Sequence, residues 1–346
     1  MKKLIFKGAT LSLVVIGILI IINPIFIKKV SHKAKLYQGL YNKENKYDIL
    51  LFGSSHMNSS ISPNILWEKY GMTSFNYGTG GQPIDVTYHL MKEALKNHSE
   101  SKVVVLDVYY LGLTDEYGTE GYIRYVLDNM KLSSNKIEAI KNSTPKDERL
   151  SYLFPILKYH SRWSELEEGD FNFNLESGRE SKGFGAGRNI YGKENKSNLE
   201  DREIGDIPPK SEEYLNKIIE LSKDRGFQLI FTNAPYDYTS TIGMEGWHQE
   251  SEKMYNKIEQ ISKENSIPFI NYASKEMLSK INFNFGADMH DNGHCNIWGS
   301  TKVSLDFAEY LNRNYELTNH KGENEYSQWE IDSKLYFESE RELDKY

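Results

Sequence analysis

Two short segments of this 346-residue chain hold side chains able to do chemistry. Asp288-Met289-His290-Asp291-Asn292-Gly293-His294-Cys295-Asn296 gathers two Asp and two His within seven residues, and Gly53-Ser54-Ser55-His56 places a hydroxyl behind a glycine. A hydroxyl becomes a useful nucleophile only beside a general base, and an imidazole base needs a carboxylate to hold its tautomer and stabilise its cation. Asp291 and His294, three residues apart, can supply both groups from one loop, with Ser55 as the nucleophile. A glycine before the serine lets the chain bend sharply and lifts the hydroxyl to the tip of a turn, as nucleophile elbows do. Gly-Ser-Ser is also ordinary turn chemistry. Likewise the Asp/His cluster could form a structural turn or ligate a divalent ion, although Cys295 and the spacing match no usual zinc pattern.

The elements that must carry these residues read as strands alternating with helices. Residues 47–52, 103–108, 227–231 and 267–270 are short apolar runs, the kind that suits parallel strands covered on both faces. Between and after them, residues 86–96, 212–225, 252–265 and 300–312 place apolar side chains at three- and four-residue intervals, so each lays one stripe on a sheet. This alternation predicts an α/β, three-layer sandwich with a mostly parallel central sheet. Ligands in such sheets bind at the carboxyl ends of strands, and Ser55 follows the first. Residues 112–210 interrupt the rhythm, with helical patches first and then a polar stretch over 167–206. Gly183-Phe184-Gly185-Ala186-Gly187 has no preceding strand, so it does not read as a phosphate-binding loop.

The net charge of −7 conceals a segregation. Seven of the 42 Lys and Arg lie in the first 35 residues without one acid, so the other 35 face all 49 Asp and Glu, a balance of −14. An acidic body without a basic face argues against a nucleic-acid partner. From Gly8 to Ile27 run 20 uncharged residues, the length that crosses a hydrocarbon core about 30 Å thick. A cleaved signal peptide is the competing reading. No small-x-small site follows the apolar run, however, and Lys28, Lys29, Lys33 and Lys35 do. The expectation is a single-pass cell-membrane protein with its main domain extracytoplasmic, although the flanking Lys are nearly balanced. The single cysteine excludes internal disulfides, and Cys295 is expected to pack.

Together, these motifs resemble the SGNH (GDSL-type) hydrolase superfamily, whose pattern is Gly-x-Ser after the first strand, a Gly after the second, often an Asn after the third, and Asp-x-x-His near the C-terminus. The nearest likeness is to its membrane-anchored envelope branch, with the proteins of teichoic acid D-alanylation and alginate O-acetylation. The likeness covers roughly residues 47–112 and 211–312. It implies an SGNH-like, flavodoxin-like domain over 36–316 with an insertion at about 112–210, after an anchor at 1–30 and before a polar acidic tail at 317–346. It also implies Ser55, Asp291 and His294 as catalytic residues and the N–H groups of Ser55 and Gly81, in Ser74-Phe75-Asn76-Tyr77-Gly78-Thr79-Gly80-Gly81, as oxyanion donors. Position 54 is Ser where the pattern commonly has Asp, and Leu111 stands where the oxyanion Asn is expected. Tyr109 and Asn233 are candidate replacements. His56, Asn233, His160 and Arg162 are possible substrate-binding residues. The expected activity is O-acyl transfer or ester hydrolysis on a cell-envelope glycopolymer or acylated substrate, without cofactor or metal, beside a multi-spanning membrane O-acyltransferase. The alternative is a catalytically weak envelope protein that binds glycopolymer or scaffolds an acylation or export complex.

Overall fold

A computed structural model describes residues 2–27, 31–42, 46–171, 178–197 and 203–343. The chain begins with α1 (Lys2–Phe26), a helix whose apolar side chains are largely exposed, and α2 (Ser31–Tyr41), which buries Leu36 and Leu40 against the body. The first half of the body then runs β1 (Ile49–Phe52), α3 (Ser55–Ser60), α4 (Pro63–Tyr70), β2 (Ser74–Asn76), α5 (Ile84–Asn97) and β3 (Val103–Asp107). Four helices follow: α6 (Glu120–Leu127), α7 (Ser134–Ser143), α8 (Arg149–Leu153) and α9 (Ile156–Tyr159). The second half comprises α10 (Pro209–Arg225), β4 (Gln228–Asn233), α11 (Ser251–Glu264), β5 (Phe269–Asn271), α12 (Lys275–Lys280), α13 (Phe285–Asp288), α14 (Ile297–Asn314) and α15 (Ser327–Leu343).

The five strands form one sheet in the order β2-β1-β3-β4-β5, and each pairing between these strands is parallel. The expected mostly parallel sheet is thus wholly parallel. Its register aligns Ile49 with both Ser74 and Val103, and Leu106 with Phe231. Because strand side chains alternate, the sheet feeds two cores. Leu50, Phe52, Val104, Leu106 and Phe231 face Leu90, Leu215 and Ile258 of α5, α10 and α11. Ile49, Leu51, Val103, Val105 and Ile230 face Met57, Leu66, Val303 and Phe307 of α3, α4 and α14. Each such buried Leu, Ile or Phe stabilises the fold by roughly 1.5–3 kcal/mol relative to exposure. Apolar residues on both strand faces therefore impose helical layers on both sides of the sheet.

The strand order reverses between β1 and β3, so the segments leaving their carboxyl ends diverge and open a crevice there. This is where Ser55 emerges. The insertion after β3 supplies α6 to α9 and three 3-10 turns, at 160–164, 168–171 and 179–181. Part of the long polar loop expected over 167–206 lies outside the described residues. The C-terminal tail contributes more than a peripheral helix. Trp329 of α15 stacks on Trp67 with ring centroids 5.2 Å apart, and buried Asp332 pairs with Lys182 and Arg179.

Candidate active site

Gly53 ends β1 with φ at +153°, where a side chain is rarely accommodated, and a Cβ there would lie 2.6 Å from Asp107 Cβ. Glycine thus satisfies both the bend and the close approach of β1 to β3. Ser54 follows as the N-cap of α3, its Oγ accepting the His56 N–H at 3.3 Å. Ser55, the first helical residue, is the partly exposed one of the pair. Asp107 lies buried beneath the turn, within 3.5 Å of Ser54 Oγ. Burial pushes its carboxyl up to about 7, against the lowering effect of N–H groups from Ala234, Tyr109 and Ser54 and of the Ser54 hydroxyl.

On the opposite wall, Asp288 to Asn296 closes on itself. His290 N–H donates to the His294 carbonyl at 2.8 Å, and Asn296 N–H to the Asp288 carbonyl at 3.0 Å. Asn296 then caps α14 by accepting from Trp298 and Gly299 N–H. Within this loop Asp291 Oδ1 accepts the N–H groups of Gly293 and His294 at 2.8 and 2.9 Å, so its carboxylate is oriented before it meets the imidazole. His294 Nδ1 lies 3.0 and 3.1 Å from the two Asp291 oxygens, and Nε2 lies 2.8 Å from Ser55 Oγ. Burial alone would raise the Asp291 carboxyl. The bond and charge of His294 and the two N–H groups outweigh it and hold the acid well below the usual carboxylate range. An ionised Asp291 selects the tautomer with hydrogen on Nδ1, which leaves the Nε2 lone pair facing the Ser55 hydroxyl.

His56 is buried behind this line. Its ring stacks on Tyr109 at 3.5 Å and meets His294 edge-on at 5.2 Å. Burial, then the neighbouring His294, lowers its pKa well below the ordinary histidine value, so it forms a neutral aromatic backing. Beyond it, Tyr109 packs on Trp247 at 4.8 Å. Cys295 is buried with Met289 and Phe285, and burial pushes its thiol up, consistent with packing.

A cleft of about 210 Å³ opens at Ser55. Its walls include Asn58 of α3, the 78–80 turn, Gly183 of the insertion, Leu36 of α2 and Tyr125 of α6. From the turn after β2 it is lined by Gly78 and Gly80, whereas Gly81 is not among the lining residues. Gly81, at φ +55°, lies directly under Tyr122, whose ring a Cβ at 81 would meet within 2.0 Å. Leu111 is buried in the apolar core and supplies no polar donor. Asn233 is turned to the β4–β5 side, where its Nδ2 donates to Asn271 Oδ1 at 3.0 Å. His160 is exposed and bonded to the Leu157 carbonyl, while Arg162 holds Asp170 and the Phe26 carbonyl at the end of α1. None of Asn233, His160 and Arg162 lines the Ser55 cleft. Regarding the zinc alternative, no three His, Cys, Asp or Glu converge as a metal set among the described residues.

Three contributors were not singled out from sequence. Asp107 interrupts an otherwise apolar strand, a signal that could have marked it. Asn76 Nδ2 donates to the Met57 and Ile61 carbonyls at 2.8 and 3.0 Å, while its Oδ1 accepts Gly78 N–H, so one side chain ties α3 to the 78–80 turn. Asn58 donates to the Gly183 carbonyl at 2.6 Å and brings the insertion to the cleft rim.

No protein-family model matches the chain. No curated protein matches it either. Among solved structures, the chain is similar to one described as a "putative acylhydrolase" from Bacteroides fragilis, at 13% identity and a TM-score of 0.40, over 83% of this chain and 98% of that one.

Proposed function

We propose that this protein is a serine-dependent enzyme of ester chemistry of the SGNH hydrolase type, an O-acyltransferase or esterase acting on a cell-envelope glycopolymer. The observation that carries the reading is the 2.8 Å approach of Ser55 Oγ to His294 Nε2, between residues 239 positions apart, with Asp291 on the far nitrogen. In the first half-reaction His294 Nε2 takes the Ser55 proton as Oγ bonds to the acyl carbonyl carbon. The proposed oxyanion donors are the Ser55 N–H and an N–H from Gly80 or Gly81, because those of Gly78 and Thr79 already bond Asn76 Oδ1 and the Gly53 carbonyl. The carbon–oxygen bond to the leaving alcohol then breaks, and that alcohol receives the proton from His294. In the second half, His294 takes the proton of an acceptor hydroxyl or water as its oxygen bonds to the acyl carbon; the bond from that carbon to Ser55 Oγ then breaks, and Oγ receives the proton from His294.

Leu111 in the core leaves the third-strand position without an oxyanion donor. One absent oxyanion donor costs roughly 3 kcal/mol of transition-state stabilisation. The loss slows attack by water and by a polymer hydroxyl alike, so the choice between hydrolysis and transfer lies with the acceptor. The same observation supports the second reading, a catalytically weak glycopolymer-binding or scaffolding protein. A fluorophosphonate probe separates them. The enzyme reading expects labelling of Ser55, no labelling of Ser55→Ala, and loss of envelope O-acylation in cells carrying that variant. Normal acylation in those cells overturns it.

A further inference from the structure

Residues 156–171 pack on the outer end of α1 in three short pieces: α9 and the turns at 160–164 and 168–171. Two polar contacts fasten them. Asn23, buried although it follows the apolar run 13–22, accepts the Ile156 N–H at 3.1 Å, and Arg162 joins the Phe26 carbonyl to Asp170. Each piece also turns one large apolar side chain outward: Leu157 is 51% exposed, Trp163 73% and Phe171 53%. A helix rises 1.5 Å per residue, so residues 23 to 26 occupy about 5 Å at the end of a bilayer-length helix. Side chains carried by elements fastened to that turn lie at the height of the lipid headgroups, where an amphipathic indole is favoured.

We propose that residues 156–171 form a membrane-docking surface that seats Leu157, Trp163 and Phe171 in the headgroup–acyl boundary of the leaflet where α1 ends. The inference rests on reading α1 as a retained membrane span. The attraction is apolar. Residues 156–171 hold two basic against four acidic side chains, and Lys158 and Arg162 are already paired with Glu120 and Asp170. Docking therefore needs no anionic lipid. It also orients the catalytic cleft, whose rim includes Leu36, on the helix that follows the span, and Tyr125, on the first helix of the insertion. Both walls are thereby held close to the bilayer, and the substrate class that fits is an acyl donor or acceptor held at the membrane surface.

The test uses the full chain in phosphatidylcholine nanodiscs, with and without lipid brominated near the upper acyl carbons, and Trp163→Phe as the control. Bromine is expected to quench a tryptophan component that Trp163→Phe lacks, and to do so equally at about 0.1 and 1 M salt, although the screening length falls about threefold. Intact mass, measured on the same sample, reports whether residues 1–27 are retained. A full-length chain with identical quenching in both proteins overturns the docking surface alone, including the case in which another protein covers it. A chain lacking those residues overturns the span and the docking surface together, while fluorophosphonate labelling of Ser55 continues to report the enzyme reading separately.

Discussion

Asp107 puts an acid with a raised pKa directly under the turn that presents Ser55, and the consequence is a stability that depends on pH. Below about pH 4 the acid is protonated in both folded and unfolded chains and contributes nothing. As pH rises towards 7 the unfolded chain releases the proton while the folded chain retains it, so stability falls, by at most about 4 kcal/mol for a shift from 3.8 to about 7. Asp107→Asn is expected to flatten the fall in melting temperature between pH 4 and 7, and an unchanged slope contradicts the assignment. Asp291 acts in the opposite sense, being ionised throughout the working range. Asp291→Asn offers His294 Nδ1 an amide that can stabilise the wrong tautomer, and a loss of about 10⁴-fold in turnover is expected. The rate of fluorophosphonate labelling checks it, since a variant labelled within tenfold of the parent excludes the proposed role. Ser55, Asp291 and His294, which the structure brings into contact, were legible because their types and spacing are unusual. Asp107, Asn58 and Asn76 were not, because their roles depend on which loop the fold brings opposite them. The same reason misdirects attention to His160 and Arg162, whose partners here are the end of α1 and Asp170.

At the scale of elements, the strand–turn–helix at 49–60 is the unit that aims Ser55. Gly53→Ala places a methyl 2.6 Å from Asp107 Cβ and 3.0 Å from Met57 Cβ, in a backbone conformation that disfavours any side chain. Strained positions of this kind cost on the order of 1–3 kcal/mol. The expected result is a lower melting temperature and loss of Ser55 labelling together. Full labelling at reduced stability would separate the turn from the chemistry. The longer helices and the Val- and Leu-rich strands were readable from periodicity and β-branching. The three-residue β2 is too short to show a period, and it is held by pairing with β1 and by Asn76. Similarly, the polar and acidic sequence of α15 carries no signal of a packing role. Its Asp332, buried with Lys182, instead clamps the 179–187 segment that delivers Gly183 to the cleft.

For the whole molecule, the division into a basic N-terminal stretch and an acidic body was plain from composition. Its orientation was not, because charge decides topology through a difference between flanks, and here Lys2, Lys3 and Lys7 oppose Lys28, Lys29, Lys33 and Lys35. The proposed action on envelope polymer requires the body to lie outside, and on that proposal the short N-terminal flank stays in the cytoplasm against a slight excess of Lys on the other side. This topology is therefore sensitive to small changes. A C-terminal alkaline phosphatase fusion is expected to be active, and replacing Lys2, Lys3 and Lys7 with Gln is expected to reduce that activity by inverting part of the population. Replacing Lys28 and Lys29 instead should leave the fusion as active as the parent or more so. An inactive parent fusion contradicts the outward body and removes the envelope polymer from reach of Ser55. An active parent with no response to the N-terminal Lys shows that the folded body, rather than the flanking charge, sets the orientation.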